Sequence, residues 1–260
     1  MQGCAAEWGP AVTLPSEREA GRGLKIGSLF SGIGGLELGL ERGIGNGAHT
    51  VWQVEQSEYC RAVLAKHWPD ATRYDDVRTV GRSNLASVDV VCGGFPCQDV
   101  SHAGKREGIG GARSGLWSEY ARIVRELRPH YVVVENVTGL LDRGFGVVLG
   151  DLAALGYDAE WSVLSACAVG APHTRERVFV VAYPSGVGPR QLRRGERASG
   201  RSPQRNLRWA TLEPPCERVA DGVPLRLERL TALGNAVVPD VAEVVGRLIA
   251  AHELKQTEAA

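Results

Sequence analysis

Leu24-Lys25-Ile26-Gly27-Ser28-Leu29-Phe30-Ser31-Gly32-Ile33-Gly34-Gly35-Leu36 decides the fold of this chain. The apolar run at 24–30 reads as a strand, and the glycine-rich turn after it opens a helix at 34–41. Glycines in such a turn let the backbone approach a ligand closely, and a helix N-terminus offers unpaired N–H groups. Residues 50–55 read as a second strand ending in Glu55. That acid lies about 20 residues past the turn, the usual place for a carboxylate that binds ribose hydroxyls. Turn and acid together favour a nucleoside-containing cofactor over a mere tight turn. They leave open whether it is a dinucleotide or S-adenosylmethionine.

The same alternation continues outward. A helix is expected at 59–68, with Cys60, Val63, Leu64 and His67 on one face. Residues 88–92 form a third, buried strand. Leu116, Tyr120, Ile123, Val124 and Leu127 fall at helical spacing, and Pro129 ends that helix. Strands are expected at 131–134, 161–164 and 178–182, with a helix at 147–155 closed by Gly156. Strands alternating with helices predict an α/β fold, a parallel sheet with helices on both faces. Residues 184–224 break the pattern, being rich in Gly, Pro and Arg. Val241, Val244, Val245, Leu248 and Ile249 then mark an amphipathic helix at 241–251 that packs back on the sheet.

The chain of 260 residues is 43% hydrophobic and 23% charged, ordinary for a globular protein, and its formal net charge is zero. Overall charge therefore points to no partner, but its distribution does. Arg190, Arg193, Arg194, Arg197, Arg201, Arg205 and Arg208 face only Glu196, a local surplus of six positive charges. Such a run is either a solvated basic loop or a phosphate-binding segment. The six cysteines are scattered without a CxxC pair and the histidines are dispersed, so no metal site is expected. Residues 1–23 read as a loose leader without the basic and apolar regions of a signal peptide. No run is long enough for a bilayer. A reducing, cytoplasmic setting with free thiols is expected.

Two further stretches carry chemistry. Val90-Val91-Cys92-Gly93-Gly94-Phe95-Pro96-Cys97-Gln98-Asp99-Val100-Ser101 is a buried strand that breaks into a turn bearing a thiol. An isolated cysteine is more often a buried structural thiol, the reading kept for Cys92. The Gly-Gly-Phe-Pro before Cys97 argues for display. His130-Tyr131-Val132-Val133-Val134-Glu135-Asn136-Val137 ends in a carboxylate, which alone could be an exposed strand-end acid. A thiol and an acid at two strand ends make a nucleophile and a proton donor. In Pro172-His173-Thr174-Arg175-Glu176-Arg177, residues two apart on a strand point the same way, so both guanidiniums could face one site. The bland alternative is a solvated surface cluster.

These blocks, in this order over most of residues 24–251, resemble the DNA (cytosine-5)-methyltransferases, with an unusually short target-recognition region. The resemblance implies a Rossmann-like, S-adenosyl-L-methionine-dependent sheet. Residues 24–183 would be the catalytic domain and 184–229 the recognition region. Residues 230–254 would return to the core, with 255–260 as a tail. It implies Cys97 as nucleophile on a displayed Pro96 turn, Glu135 as the acid serving cytosine N3, and Asn136 bracing both. Arg175 and Arg177 would hold the cytosine carbonyl or a phosphate. The cofactor would lie against Phe30, Ser31, Gly32, Gly34, Gly35, Leu36 and Glu55, then Asp76, Val77, Gly93 and Leu116. Asn235, Ala236 and Val237 of the Gly234–Pro239 block would hold its methionine part.

Double-stranded DNA is the partner so implied. A lid at 98–115 would close over a flipped base, with Gln98, Ser101, Lys105, Arg106, Arg113 and Ser114 as phosphate or base partners. The arginines from Arg190 to Arg208 would read the target. A monomer without metal is expected, in a bacterial or phage-infected cell. The short insertion keeps an RNA (tRNA) cytosine-5 methyltransferase open as an alternative. Two further readings are a nicotinamide-dependent dehydrogenase with a structural Cys97 and a catalytically silent DNA-binding module. The intact Cys97, Glu135 and arginine pair argue against the latter.

Overall fold

The computed structural model describes residues 23–96, 115–186 and 226–259. Among these, seven strands form one sheet: β1 (Lys25–Leu29), β2 (His49–Val54), β3 (Thr72–Tyr74), β4 (Val90–Gly93), β5 (Tyr131–Val137), β6 (Tyr157–Ser165) and β7 (Glu176–Pro184). Their spatial order is β3-β2-β1-β4-β5-β7-β6. The chain runs outward from β1 to β3, then returns to lay β4 on the other side of β1. A topological switch point therefore lies between β1 and β4, where open α/β sheets place their ligands.

The sheet is not wholly parallel. Strands β1 to β5 pair in parallel, while β7 runs antiparallel to both β5 and β6. The expected parallel sheet is corrected on this point. A strand buried on both faces has the same apolar texture in either direction, so the sequence pattern carries no sign of the reversal.

Six helices accompany the strands among the described residues: α1 (Gly35–Ile44), α2 (Glu58–His67), α3 (Leu116–Leu127), α4 (Phe145–Ala154), α5 (Arg226–Asn235) and α6 (Pro239–Ala259). Alternation along the strands divides the core in two. Val90, Cys92, Tyr131 and Val133 join Leu36 and Leu40 of α1 and Val241, Val245 and Ile249 of α6. Their neighbours Val91, Val132 and Val134 face the other way, against Tyr120, Ile123 and Val124 of α3 and Val148 and Leu152 of α4.

Helices α1 and α6 touch backbone to backbone. A Cβ built on Gly43 would stand 2.2 Å from the Glu243 carbonyl oxygen, so only glycine fits there. The far end of α6 is tied to β5 through Tyr131. Its hydroxyl lies 2.6 Å from His252 Nδ1 and donates to Glu253 Oε1 at 2.7 Å. The hydroxyl has one proton, so the imidazole is the donor in the first contact.

Several expectations shift in detail. His67 is exposed, because α2 buries only Cys60 and Leu64. Leu248 is likewise exposed beside the buried Ile249. Helix α5 starts inside the stretch taken as recognition region and ends beyond its boundary at 229/230.

Candidate active site

A cleft of about 700 Å³ opens at the C-terminal ends of β1, β2, β4 and β5, walled on its far side by α5. A narrow arm of about 40 Å³ runs from it under the turn between β1 and α1. This is the position the switch point predicts, and the strand-end residues singled out by sequence meet there.

Phe30, at the end of β1, lines both the cleft and its arm, and holds a left-handed backbone, φ 55°. Strain of this kind at a non-glycine residue concentrates at ligand sites. Gly32 N–H donates to Glu55 Oε2 at 2.8 Å, and Ser57 N–H donates to Glu55 Oε1 at 2.8 Å. Glu55 thus fixes the turn while lining the cleft. Ser31, Gly35 and Leu36 line the arm opposite Asn235, Ala236 and Val237. A Cβ on Gly35 would stand 2.2 Å from the Val237 carbonyl oxygen, which is why the loop before α6 can close over the turn.

Val77 and Leu116 line the cleft, and Gly93 the arm. Asp76 is in the cleft wall as well, but Arg78 occupies both of its oxygens, at 2.9 and 3.1 Å. That hydrogen bonding holds the Asp76 carboxyl below the usual range.

Glu135 ends up buried on the wall shared by cleft and arm. Burial pushes its carboxyl up to about 7, against the opposing pull of Arg177 and, more weakly, Arg175. Arg177 Nε lies 3.2 Å from Glu135 Oε1. The backbone of Gly94 passes so close that a Cβ there would sit 2.5 Å from Glu135 Oε2. Asn136 Nδ2 donates to the Phe95 carbonyl at 3.1 Å, pinning the turn that leads into Pro96, itself a cleft residue. The acid and the turn before Cys97 are therefore one packed unit.

Two expected site residues lie off the cleft wall, though Arg175 stays close enough for its charge to act on Glu135. Gly34 does not line the cleft. It caps α1 in a left-handed conformation, φ 87°, against the Trp68 ring, and so builds the turn rather than the binding surface. Arg175 precedes β7, so strand alternation does not govern it. Its guanidinium reaches across to the Gly234 carbonyl at 2.8 Å and ties β7 to α5. Sequence reasoning missed Gln56, Gly94, Glu228, Thr231 and Ala232 in the cleft wall. The last three come from α5, a helix without a clear signature in the sequence.

Cys97, the lid residues Gln98, Ser101, Lys105, Arg106, Arg113 and Ser114, and the arginines from Arg190 to Arg208 lie outside the described residues. Among the described residues no group of His, Cys, Asp and Glu side chains could hold a metal ion, and no helix is long and apolar enough to cross a membrane.

Comparison with known proteins is consistent with this geometry. Residues 24–207 match the model of the C-5 cytosine-specific DNA methylase family. The type II methyltransferase M2.BsuMI of Bacillus subtilis is 37% identical over 167 residues, 61% of this chain and 42% of the relative. M.HhaI of Haemophilus parahaemolyticus is 33% identical over 165 residues, 62% of this chain and 49% of the relative. The chain thus spans less than half the length of each. The structure of the methyltransferase EhMeth of Entamoeba histolytica superposes with a TM-score of 0.57 at 21% identity, over 65% of this chain and 55% of that one, which shows that the two share the Rossmann-like fold.

Proposed function

We propose that this chain, which belongs to the C-5 cytosine-specific DNA methylase family, methylates C5 of cytosine in duplex DNA with S-adenosyl-L-methionine as donor. The observation that carries the reading is the packing of Glu135 against the turn before Cys97, inside a cleft continuous with a glycine cradle. The cofactor fits the donor set present: an aromatic at Phe30, a carboxylate at Glu55, backbone N–H groups at the start of α1, and the Asn235–Val237 loop. When bound it supplies an electrophilic methyl group.

The chain's residues supply the rest. Cytosine C5 is too weak a nucleophile to take a methyl group unaided. Cys97, as thiolate, adds to C6 and forms a carbon–sulfur bond, which moves electron density toward C5 and N3. Glu135, kept protonated near neutrality by its burial, donates to N3 and balances that charge. Arg177 holds the carboxyl in place and offers its remaining N–H groups to the base. Once C5 carries the methyl group, a base takes the C5 proton, the C6–sulfur bond breaks, the thiolate leaves and the N3 proton returns to Glu135. The base must be flipped out of the helix for Cys97 to reach it.

The protein is read as a cytoplasmic monomer. The catalytic unit is residues 24–183, with 230–254 closing it and the arginine-rich segment engaging DNA. The test is incubation with duplex DNA containing 5-fluorocytosine and S-adenosyl-L-methionine. A covalent protein–DNA complex is expected, lost in Cys97→Ser. Trapping that survives the substitution, or that occurs with tRNA and not DNA, would overturn the assignment.

A further inference from the structure

Glu37 lies in the first turn of α1 and is completely buried. Neither of its carboxyl oxygens has a hydrogen-bond partner among the described residues. The hydroxyls of Ser28 and Ser31 come near enough to favour its charged form. Ser31 Oγ–H, however, is directed to Ser28 Oγ at 2.9 Å, and no bond to Glu37 is completed. Its own backbone N–H also favours the charged form, and Glu41 on the same helix disfavours it. The Cys92 thiol of β4 is in turn held protonated partly by the Glu37 charge. Burial dominates and pushes its carboxyl up to about 7.

A buried carboxyl left unsatisfied is costly, and one in a native fold calls for an explanation. Glu37 lines the narrow arm of the cleft with Ser31, Gly35, Asn235 and Val237. An arm of about 40 Å³ admits a short aliphatic end of a ligand and not a nucleoside, which needs the wider cleft. The N-terminus of α1 can receive a carboxylate. An α-ammonium beside it needs a carboxylate of the opposite sign.

We propose that Glu37 is the counter-ion for the α-ammonium of the methionine portion of S-adenosyl-L-methionine, held in the narrow arm beneath the β1–α1 turn. This rests on the reading that the cleft binds that molecule. Glu37 then selects for the amino-acid end of the donor, a task separate from the chemistry at Glu135.

The experiment is calorimetric binding to the full chain of two probes, S-adenosylhomocysteine and 5′-methylthioadenosine, which lacks the amino-acid end. Glu37→Gln should weaken S-adenosylhomocysteine by about tenfold or more, the loss of one charge-assisted contact, and leave 5′-methylthioadenosine within about twofold. The unaltered 5′-methylthioadenosine affinity also reports that the variant is folded. Equal loss for both probes would make Glu37 a structural residue and overturn the proposal, as would no loss for either. If the unmodified protein binds neither probe, the cofactor reading itself fails, and the proposal with it.

Discussion

At the scale of single residues, Glu135 decides most. The structure holds its proton up to about 7 through burial. A carboxyl raised in the fold above its ordinary value of 4.5 favours folding in its neutral form. That contribution is fully present below the ordinary carboxylate range and is lost as pH rises through about 7. The change is on the order of 3 kcal/mol. Glu135→Gln should therefore flatten the fall in thermal midpoint between pH 5 and 8. It should also lower methyl transfer about 10²- to 10⁴-fold with DNA affinity retained. If the chain acts as proposed, its kcat/KM should decline above about pH 7 as this acid ionises. Unaltered turnover in the variant would remove Glu135 from the mechanism. Glu135 was legible in the sequence because it ends an apolar run and is followed by Asn136. Glu37 was not, since a carboxylate in an amphipathic helix reads as solvated, and only the packing of α1 on the sheet shows it buried. Gly94 likewise declared a turn, but not that the turn is a seat for an acid.

At the scale of elements, long periodic segments were readable, and what was lost lay in short or directionless ones. Strand β3 has three residues, too few for any periodicity. The reversal of β7 has no sequence trace, as both of its faces are apolar at the centre. In α5, Leu227, Leu230 and Leu233 are all exposed, so its apolar positions do not mark a core-facing stripe. The pairing of α1 with α6 was expected only as a helix returning to the sheet; the glycine contact that sets its closeness was not. Gly43→Ala tests that contact. With Glu243 O at 2.2 Å and Arg247 N at 2.8 Å from the added carbon, backbone must move. A loss of about 1–3 kcal/mol in urea unfolding is expected, as for other overpacked sites. Because α6 follows directly on the Asn235–Val238 loop, cofactor affinity should fall as well. An unchanged urea midpoint would show that the helices do not need this approach.

At the scale of the whole molecule, the chain assembles a cleft from residues as distant as Phe30 and Asn235 around one switch point in the sheet. That much was readable, because the functional blocks stand where strands end, and strand ends meet on one edge of a parallel sheet. On the proposed reading, how the molecule holds DNA follows instead from charge. With a formal net charge of zero, the chain as a whole exerts no pull on a polyanion. Affinity must come from local surplus, and the seven arginines between Arg190 and Arg208 are the densest in the sequence. If each neutralises a phosphate, they contribute about six units to the slope of log affinity against log salt. Replacing all seven by glutamine should lower the slope by up to that amount in fluorescence-anisotropy titrations from 50 to 200 mM salt. S-adenosylhomocysteine binding, made within the cleft, should not change. A smaller slope with intact cofactor binding would assign DNA affinity to this segment and cofactor binding to the sheet. A slope equal to that of the parent chain would instead leave the arginines as solvated charge and send the search for phosphate contacts to Lys105, Arg106 and Arg113.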